Sequence, residues 1–275
     1  MDTVLQCIVL FLTGICAGTA SGLFGIGGGV LMSPVQFWLY SAGGMDSTLA
    51  TRIAFGTSLA VMLPTMISGA LAHHRKGAVN WIAAVPMGIA AVFGGLAGGT
   101  FATHVPGIVL RMFFALIVIL MAIRMVWNLR ECPAGEVREP ADVPEGSAGI
   151  HLLLGFCIGV VSGLAGVGGG ALLVPVLVII LRYPIHRAIG TSSACLIFSS
   201  AGAVIAYIFN GVGVAGVPAY SLGYVDLVTF AILAVTTIPL ARVGVRLAHS
   251  CSGRNLQILF AGLITLIGVM MIVSG

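Results

Sequence analysis

The sequence predicts an all-α polytopic membrane protein built from two inverted-topology repeats, each a glycine-broken helical hairpin followed by three transmembrane helices. Three observations predict this fold class: the composition, a duplicated glycine-rich motif, and the distribution of Lys and Arg among the loops. Of the 275 residues, 59% are hydrophobic and only 7% are charged, and the mean hydropathy is +1.15. A soluble domain of this length carries about a quarter charged residues, so the chain is expected to lie in a lipid bilayer.

The glycine-rich motif occurs once in each half of the chain. It reads Ser21-Gly-Leu-Phe-Gly-Ile-Gly-Gly-Gly29 and recurs as Ser162-Gly-Leu-Ala-Gly-Val-Gly-Gly-Gly170. Each copy runs on to a proline, Pro34 in the first half and Pro175 in the second. A duplicated element of this specificity indicates a symmetric molecule whose working part lies at the two glycine runs.

Apolar segments long enough to span a bilayer divide the two halves in the same way. The halves, 1–128 and 150–275, form one membrane domain and are joined by a polar linker, 129–149, which is expected in the cytoplasm. The predicted segments are 4–42, 53–72, 79–103 and 108–128 in the first repeat, and 150–181, 188–210, 222–247 and 256–273 in the second.

Loop charges predict that the two repeats have opposite orientations. Arg75 and Lys76 follow the second segment and should be cytoplasmic, because cytoplasmic loops are enriched in Lys and Arg. The equivalent loop of the second half, 211–221, carries no charge and should lie outside. The next loop, around His104, lacks Lys and Arg, whereas its counterpart region carries three arginines: Arg242, Arg246 and Arg254. Corresponding loops therefore face opposite sides, as inverted repeats require.

The glycine-rich segment of the second half, 150–181, begins and ends on the cytoplasmic side, so it must cross the membrane an even number of times. As a single helix its 32 residues would be about 48 Å long, too long for a hydrocarbon core of about 30 Å. Folded at its glycines, it forms two arms that reach at least to mid-membrane. The segment 4–42 should do the same from the outside. Re-entrant tips and broken helices that cross fully both remain open.

The two glycine runs predict a binding site for a small anion. A helix that restarts after either run presents free N–H groups and a positive dipole end near the membrane midplane. Two such ends that converge need no buried cation, and serine hydroxyls would add donors. Close helix packing through the glycines is the alternative interpretation. The candidate substrate-binding residues here are Ser21, Gly25, Gly27, Gly28, Gly29, Ser162, Gly166, Gly168, Gly169 and Gly170.

A second duplicated motif adds further candidate substrate-binding residues. Gly56-Thr57-Ser58 and Gly190-Thr191-Ser192 begin the second predicted segment of their halves, where glycine loosens the helix and the hydroxyls can donate. Alternatively, these hydroxyls bond back to their own helix. Arg52 and Arg187 lie about one turn earlier, and either recruit an anion or extend to lipid head groups.

Other classes of function find little support in the sequence. The glycine runs approach the dinucleotide-binding fingerprint but lack its strand–helix context and its later acidic residue. We find no catalytic triad, metal-ligand cluster or cofactor motif, and we expect His73 and His74 to be solvated loop residues. The net charge of +4 matches a cytoplasmic loop bias, and no nucleic-acid partner is expected. The predicted partners are a small anionic substrate and the lipid bilayer, and a homo-oligomer remains open.

The two motifs together give the chain its resemblance to a known family. The duplicated SGLxGxGGGxLxxP pattern, followed each time by AxGTS, resembles the sulfite exporter TauE/SafE family of membrane transporters. The resemblance covers nearly the whole chain apart from the linker. It implies a multi-pass transporter in the inner membrane whose substrates are sulfur-containing anions, such as sulfite or the organosulfonate sulfoacetate.

Sulfur chemistry enters only through this resemblance, because the residues by themselves indicate an anion site. We expect export by alternating access around a midplane site. An uptake transporter, an anion channel and a membrane-embedded sulfur-handling enzyme are the alternatives.

Overall fold

A computed structural model describes residues 3–131, 148–166, 168–179 and 181–251, together with residues 258, 259 and 262. Nearly all of these residues are helical. The elements in chain order are α1 (Thr3–Phe24), α2 (Gly29–Ala42), α3 (Ser47–His74), α4 (Trp81–His104), α5 (Gly107–Glu131), α6 (Ala148–Ala165), α7 (Gly170–Ile179), α8 (Ile185–Gly211), β1 (Ser221–Leu222), β2 (Val225–Asp226) and α9 (Leu227–Ser250).

Five helices in the described part of the chain are long and apolar enough to cross a membrane. They are Val4–Phe24, Ser47–His74, Trp81–His104, Ile185–Gly211 and Leu227–Ser250. This confirms the prediction of an all-α polytopic membrane protein.

Parts of two predicted regions cannot be compared with the structure. Most of the linker 129–149 lies outside the described residues, although its two ends belong to α5 and α6. The predicted last segment, 256–273, also lies outside them apart from residues 258, 259 and 262.

Both predicted glycine-broken segments consist of two helices. The first is divided into α1 and α2 at residues 25–28, and the second into α6 and α7 at residues 166–169. The helices therefore end where the glycine runs begin, as the low helix propensity of glycine predicts.

The prediction that a membrane span begins at residue 222 is wrong. Residues 221–226 form a two-stranded antiparallel hairpin in which Leu222 pairs with Val225. Gly223 has a φ of +60° in its turn, a conformation that glycine adopts without strain. Helix α9 begins only afterwards, where the Asp226 carboxylate accepts hydrogen bonds from the backbone of Val228 and Thr229.

The two halves of the chain interlock through closely packed helices. Helix α4 packs on α6, and α9 packs on α1. In both pairs, glycines spaced four residues apart let the backbones approach so closely that an added methyl group would clash with the neighbouring helix. These glycines are Gly155, Gly159 and Gly163 in α6, and Gly14, Gly18 and Gly22 in α1.

Helices α3 and α8 carry the second motif and pack against each other. At one end of the molecule, a hydrogen bond from Arg52 Nη2 to the Val105 carbonyl oxygen (3.2 Å) joins α3 to the loop after α4. At the other end, a hydrogen bond from the Asn80 backbone N–H to Thr191 Oγ1 (3.0 Å) joins the loop before α4 to α8.

The expectation that His73 is a solvated loop residue is wrong. His73 belongs to α3 and is only 1% exposed. Its Nε2 lies 3.0 Å from the Gly22 carbonyl oxygen, and its Nδ1 lies 3.3 Å from His249 Nε2. Since a carbonyl can only accept, Nε2 of His73 is the donor, and Nδ1 of a neutral ring accepts from His249. His74, by contrast, is exposed and accepts a hydrogen bond from Trp81.

Candidate functional site

The two glycine runs adopt the same unusual backbone conformation. Three glycines in each run have positive φ angles, a region that residues with a Cβ atom rarely adopt. The values are +65° for Gly25, +83° for Gly27, +73° for Gly28, +64° for Gly166, +76° for Gly168 and +71° for Gly169. The matching glycines of the two copies thus share one backbone conformation, and we call the segments 25–28 and 166–169 the first and second glycine breaks.

A helix begins directly after each break. Gly29 is the first residue of α2, and Gly170 is the first residue of α7. The first helical hydrogen bonds return to Gly28 and Gly169, so the earlier N–H groups have no acceptor within their own helix. Among the described residues, no acceptor is found for the N–H of Gly29 or of Gly170.

The two breaks contact each other. A methyl group added to Gly170 would lie 2.7 Å from the Ile26 Cα atom and 2.9 Å from the Gly25 carbonyl oxygen. Ser192 Oγ in α8 donates to that carbonyl at 3.0 Å, and Ser33 Oγ in α2 donates to the Gly166 carbonyl at 3.1 Å. Each break is therefore held by a serine from the other half of the chain.

Two apolar side chains fill the space at the breaks in this conformation. An added methyl group at Gly27 or at Gly168 would clash with the side chain of Met62, and one at Gly170 would lie 2.6 Å from Leu196 Cδ1. Met62 and Leu196 are both fully buried. Each lies one helical turn after the serine of the second motif, Ser58 or Ser192, and so on the same helix face. This four-residue spacing could have identified Met62 and Leu196 from the sequence, but neither was among the predicted site residues.

The threonines of the second motif contact the starts of other helices. Thr57 Oγ1 accepts from the Asp226 backbone N–H at 2.9 Å, just before α9. Thr191 Oγ1 accepts in the same way from Asn80, just before α4.

The motif also lies inside α3 and α8 and not at their starts. Gly56 and Gly190 permit close approach of the chain segments before α9 and α4, to the backbones of Tyr224 and Ala78 respectively. Within the described chain, Thr57, Ser58, Thr191 and Ser192 make no hydrogen bond to their own helix.

Buried polar side chains surround the breaks. Ser162 Oγ donates to Ser199 Oγ at 3.5 Å, and Ser199 Oγ lies 3.2 Å from the Gly168 carbonyl oxygen. Ser58 Oγ accepts from Gln36 Nε2 at 2.9 Å. Within the described part of the chain, the Oγ of Ser21 and the Oε1 of Gln36 are buried without a hydrogen-bond partner. The position equivalent to Gln36 in the second half is not polar. A comparison of the two repeats therefore could not identify Gln36 as a site residue.

The two candidate arginines do not lie at the glycine breaks. Arg52 bonds to the Val105 carbonyl and, at 3.4 Å, to the Tyr224 hydroxyl. Arg187 is exposed, and its guanidinium carbon lies 5.4 Å from the centre of the Tyr183 ring. The two side chains are therefore held at opposite ends of the molecule.

These features define a class of protein: a polytopic membrane transporter with paired helix breaks at the centre of an apolar helix bundle. The family model described as Sulfite exporter TauE/SafE matches residues 10–271, and the chain therefore belongs to this family. The resemblance based on the two sequence motifs is thus confirmed.

Similar proteins carry the same general description. The chain is 27% identical to a probable membrane transporter protein of Methanocaldococcus jannaschii, over 96% of this chain and 94% of the relative. It is 30% identical to one of Haemophilus influenzae, over 80% of each chain. It is 24% identical to the probable membrane transporter protein YunE of Bacillus subtilis, over 74% of this chain and 79% of the relative. No solved structure matches the chain significantly.

Proposed function

We propose that this protein is a secondary transporter that exports small sulfur-containing oxyanions, such as sulfite or sulfoacetate, across the inner membrane. The observation that carries the proposal is the contact between the two glycine breaks, each followed directly by a helix N-terminus. Helix N-termini attract anions through free N–H groups and a positive dipole end. The family description supports sulfite as a substrate.

The substrate site comprises the break glycines and the hydroxyl groups around them. Ser21 supports this assignment, because its buried Oγ has no hydrogen-bond partner in the described residues and a buried hydroxyl without a partner is costly. The amide of Gln36 extends the same polar surface. Thr57 and Thr191 act indirectly by positioning α9 and α4, and Arg52 and Arg187 act at the two entrances.

The proposed architecture is a pair of inverted repeats, residues 1–128 and 150–275, joined by the cytoplasmic linker 129–149. Reciprocal contacts support it: α4 packs on α6 as α9 packs on α1. The hydrogen bonds of Thr57 with Asp226 and of Thr191 with Asn80 are likewise reciprocal. A two-fold axis in the membrane plane produces such paired contacts and places the substrate site where the repeats meet.

Alternating access requires the side chains between the breaks to move. Met62 and Leu196 fill this space in the present conformation, so an anion reaches the helix N-termini only after they withdraw. Met62 is suited to that movement because methionine is unbranched and has three rotatable bonds.

Membrane voltage is the proposed driving force for export. An inside-negative potential favours the exit of an anion by about 2.3 kcal/mol per charge per 100 mV. Asp226 is buried, but its carboxylate already accepts hydrogen bonds from Tyr40, from Thr229 and from the start of α9. It is therefore a structural group in this proposal and not a proton carrier.

Flux from sulfite-loaded proteoliposomes tests the proposal. Under an imposed inside-negative potential and equal pH on both sides, we expect saturable sulfite efflux that slows when the potential is removed. Flux that requires a pH gradient and ignores voltage would contradict the voltage-driven mechanism. A complete absence of sulfite and sulfoacetate flux in folded protein would contradict the substrate assignment.

A further inference from the structure

A cavity of about 320 Å³ lies between α2, α3 and α5. Most of its wall is aromatic or apolar, whereas Ser33 and Arg111 are polar. Its volume lies near the lower end of the 300–1,000 Å³ that ligand pockets usually occupy. The aromatic lining residues are Phe37, Trp38, Phe55 and Phe114.

Arg111 is held in a fixed position at this cavity. Its Nη1 donates to Ser47 Oγ at 2.6 Å and to Thr51 Oγ1 at 3.1 Å. Its guanidinium carbon lies 4.4 Å from the centre of the Phe37 ring. Within the described chain all its hydrogen bonds use Nη1, so the N–H groups of Nε and Nη2 remain as donors. A guanidinium that presents two donors in one plane suits a carboxylate or sulfonate head group.

The inner wall of the cavity contacts the second glycine break. Ser33 lines the cavity and donates to the Gly166 carbonyl oxygen at 3.1 Å. Phe55 also lines it, and its ring lies so close to Gly166 that an added methyl group would clash. A ligand in the cavity is thus separated from the break by single side chains.

The cation of this cavity belongs to one repeat only. Aligning Gly107 with Gly253 and Phe114 with Phe260 places Gln257 opposite Arg111 in the second half of the sequence. By the loop charges, the end of the molecule that contains Arg111 and Ser47 is the outer end. The equivalent position of the second repeat therefore offers no cation.

We propose that this cavity binds a small organic oxyanion, with its carboxylate or sulfonate head on Arg111 and its apolar body against Phe37, Trp38 and Phe55. The role of the cavity as the outer access site of the glycine breaks rests on the proposed transport function; the binding itself does not. The aromatic wall favours organosulfonates over inorganic sulfite, which has no apolar body to bury. An anionic lipid head group offers Arg111 the same chemistry, so the experiment must separate the two sources.

Trp38 provides a direct measurement of binding. With Trp81→Phe and Trp127→Phe as background, the remaining tryptophan lines the cavity. In nanodiscs of phosphatidylcholine alone, we expect benzenesulfonate to change the Trp38 fluorescence saturably and to bind at least tenfold more tightly than sulfite. Arg111→Gln should weaken benzenesulfonate at least tenfold, and Arg111→Lys less. Arg75→Gln, an exposed arginine after α3, is the control and should leave the affinity unchanged.

Several outcomes would overturn the inference. Equal benzenesulfonate affinity in Arg111→Gln and in the parent protein would do so, as would equal affinity for sulfite and benzenesulfonate. Replacing part of the phosphatidylcholine by phosphatidylglycerol tests the lipid source. If that change displaces benzenesulfonate in the parent protein but not in Arg111→Gln, the cavity is a lipid site and the inference is wrong.

Sulfite flux separates this inference from the proposed function. Sulfite efflux from the parent protein without benzenesulfonate binding would contradict the cavity alone. Benzenesulfonate binding without efflux of any sulfur oxyanion would contradict the transport function and leave the binding site standing.

Discussion

Ser192 in α8 donates a hydrogen bond from Oγ to the carbonyl oxygen of Gly25 at 3.0 Å. The bond joins the second motif of one half of the chain to the glycine break of the other. The counterpart in the other half uses different residues, because Ser58 accepts from Gln36 and the Gly166 carbonyl is met by Ser33. The carbonyl oxygen of the first glycine in each break thus accepts a hydrogen bond from a serine of the other half. The two serines, however, lie at non-equivalent positions of the repeats.

Ser192→Ala should destabilise the protein and slow transport. The substitution leaves the buried Gly25 carbonyl without its serine partner, which costs about 1–3 kcal/mol. Thermal unfolding and sulfite flux measure the two effects. Ser193→Ala is the matched control, because among the described residues the neighbouring Ser193 donates only to Ile189 of its own helix. Equal effects of the two substitutions would show that the Ser192–Gly25 bond has no special role.

Gly28→Leu should abolish transport while a folded fraction remains. Gly28 has a φ of +73°, and an added Cβ would lie 2.8 Å from the Ala17 carbonyl oxygen. The left-handed backbone alone costs roughly 1–2 kcal/mol in a residue with a Cβ. Gly44→Ala is the control for backbone strain without a steric clash. Gly44 also has a positive φ, of +84°, but no atom lies within 4 Å of an added Cβ. Substrate affinity, measured by thermal shift with sulfite, should be lost in Gly28→Leu only. Full affinity in that variant would exclude a site at the glycine breaks.

Met62→Ala should lower stability and increase leak through the centre of the protein. Truncating a fully buried methionine costs about 2–5 kcal/mol, and it also removes the side chain that contacts both Gly27 and Gly168. Ile82→Ala is the control because Ile82 is 78% exposed. We expect faster passive anion flux and a lower unfolding temperature in Met62→Ala alone. An unchanged flux in a folded Met62→Ala protein would mean that Met62 does not close the path.

His73→Ala should destabilise the protein, whereas His74→Ala should be nearly silent. His73 donates to the carbonyl of Gly22 in the last turn of α1, where helix carbonyls lack partners within the helix. His74 is exposed and bonds only to Trp81 among the described residues. Thermal unfolding compares the two variants. A silent His73→Ala would show that this contact does not stabilise the end of α1.

Much of the fold could be predicted because membrane helices carry strong local signals. A run of apolar residues must form a helix in lipid, where each backbone polar group needs a partner. The hairpin at 221–226 was missed because its Leu222, Tyr224 and Val225 are as apolar as the helix that follows. The buried position of His73 was missed because its partners, Gly22 and His249, are distant in sequence.

The sequence by itself determined the membrane location, the family and the position of the two breaks, since clustered glycines both end helices and permit positive φ angles. Only the tertiary structure decided which side chains meet at those breaks. Met62, Leu196, Ser33 and Ser192 come from helices that the sequence does not pair, and their contacts depend on how α2, α3 and α8 pack. The same holds for Arg111, whose place beside Phe37 arises from the packing of α5 near α2. Local conformation follows from local sequence, whereas a site assembled from separate helices follows from their packing.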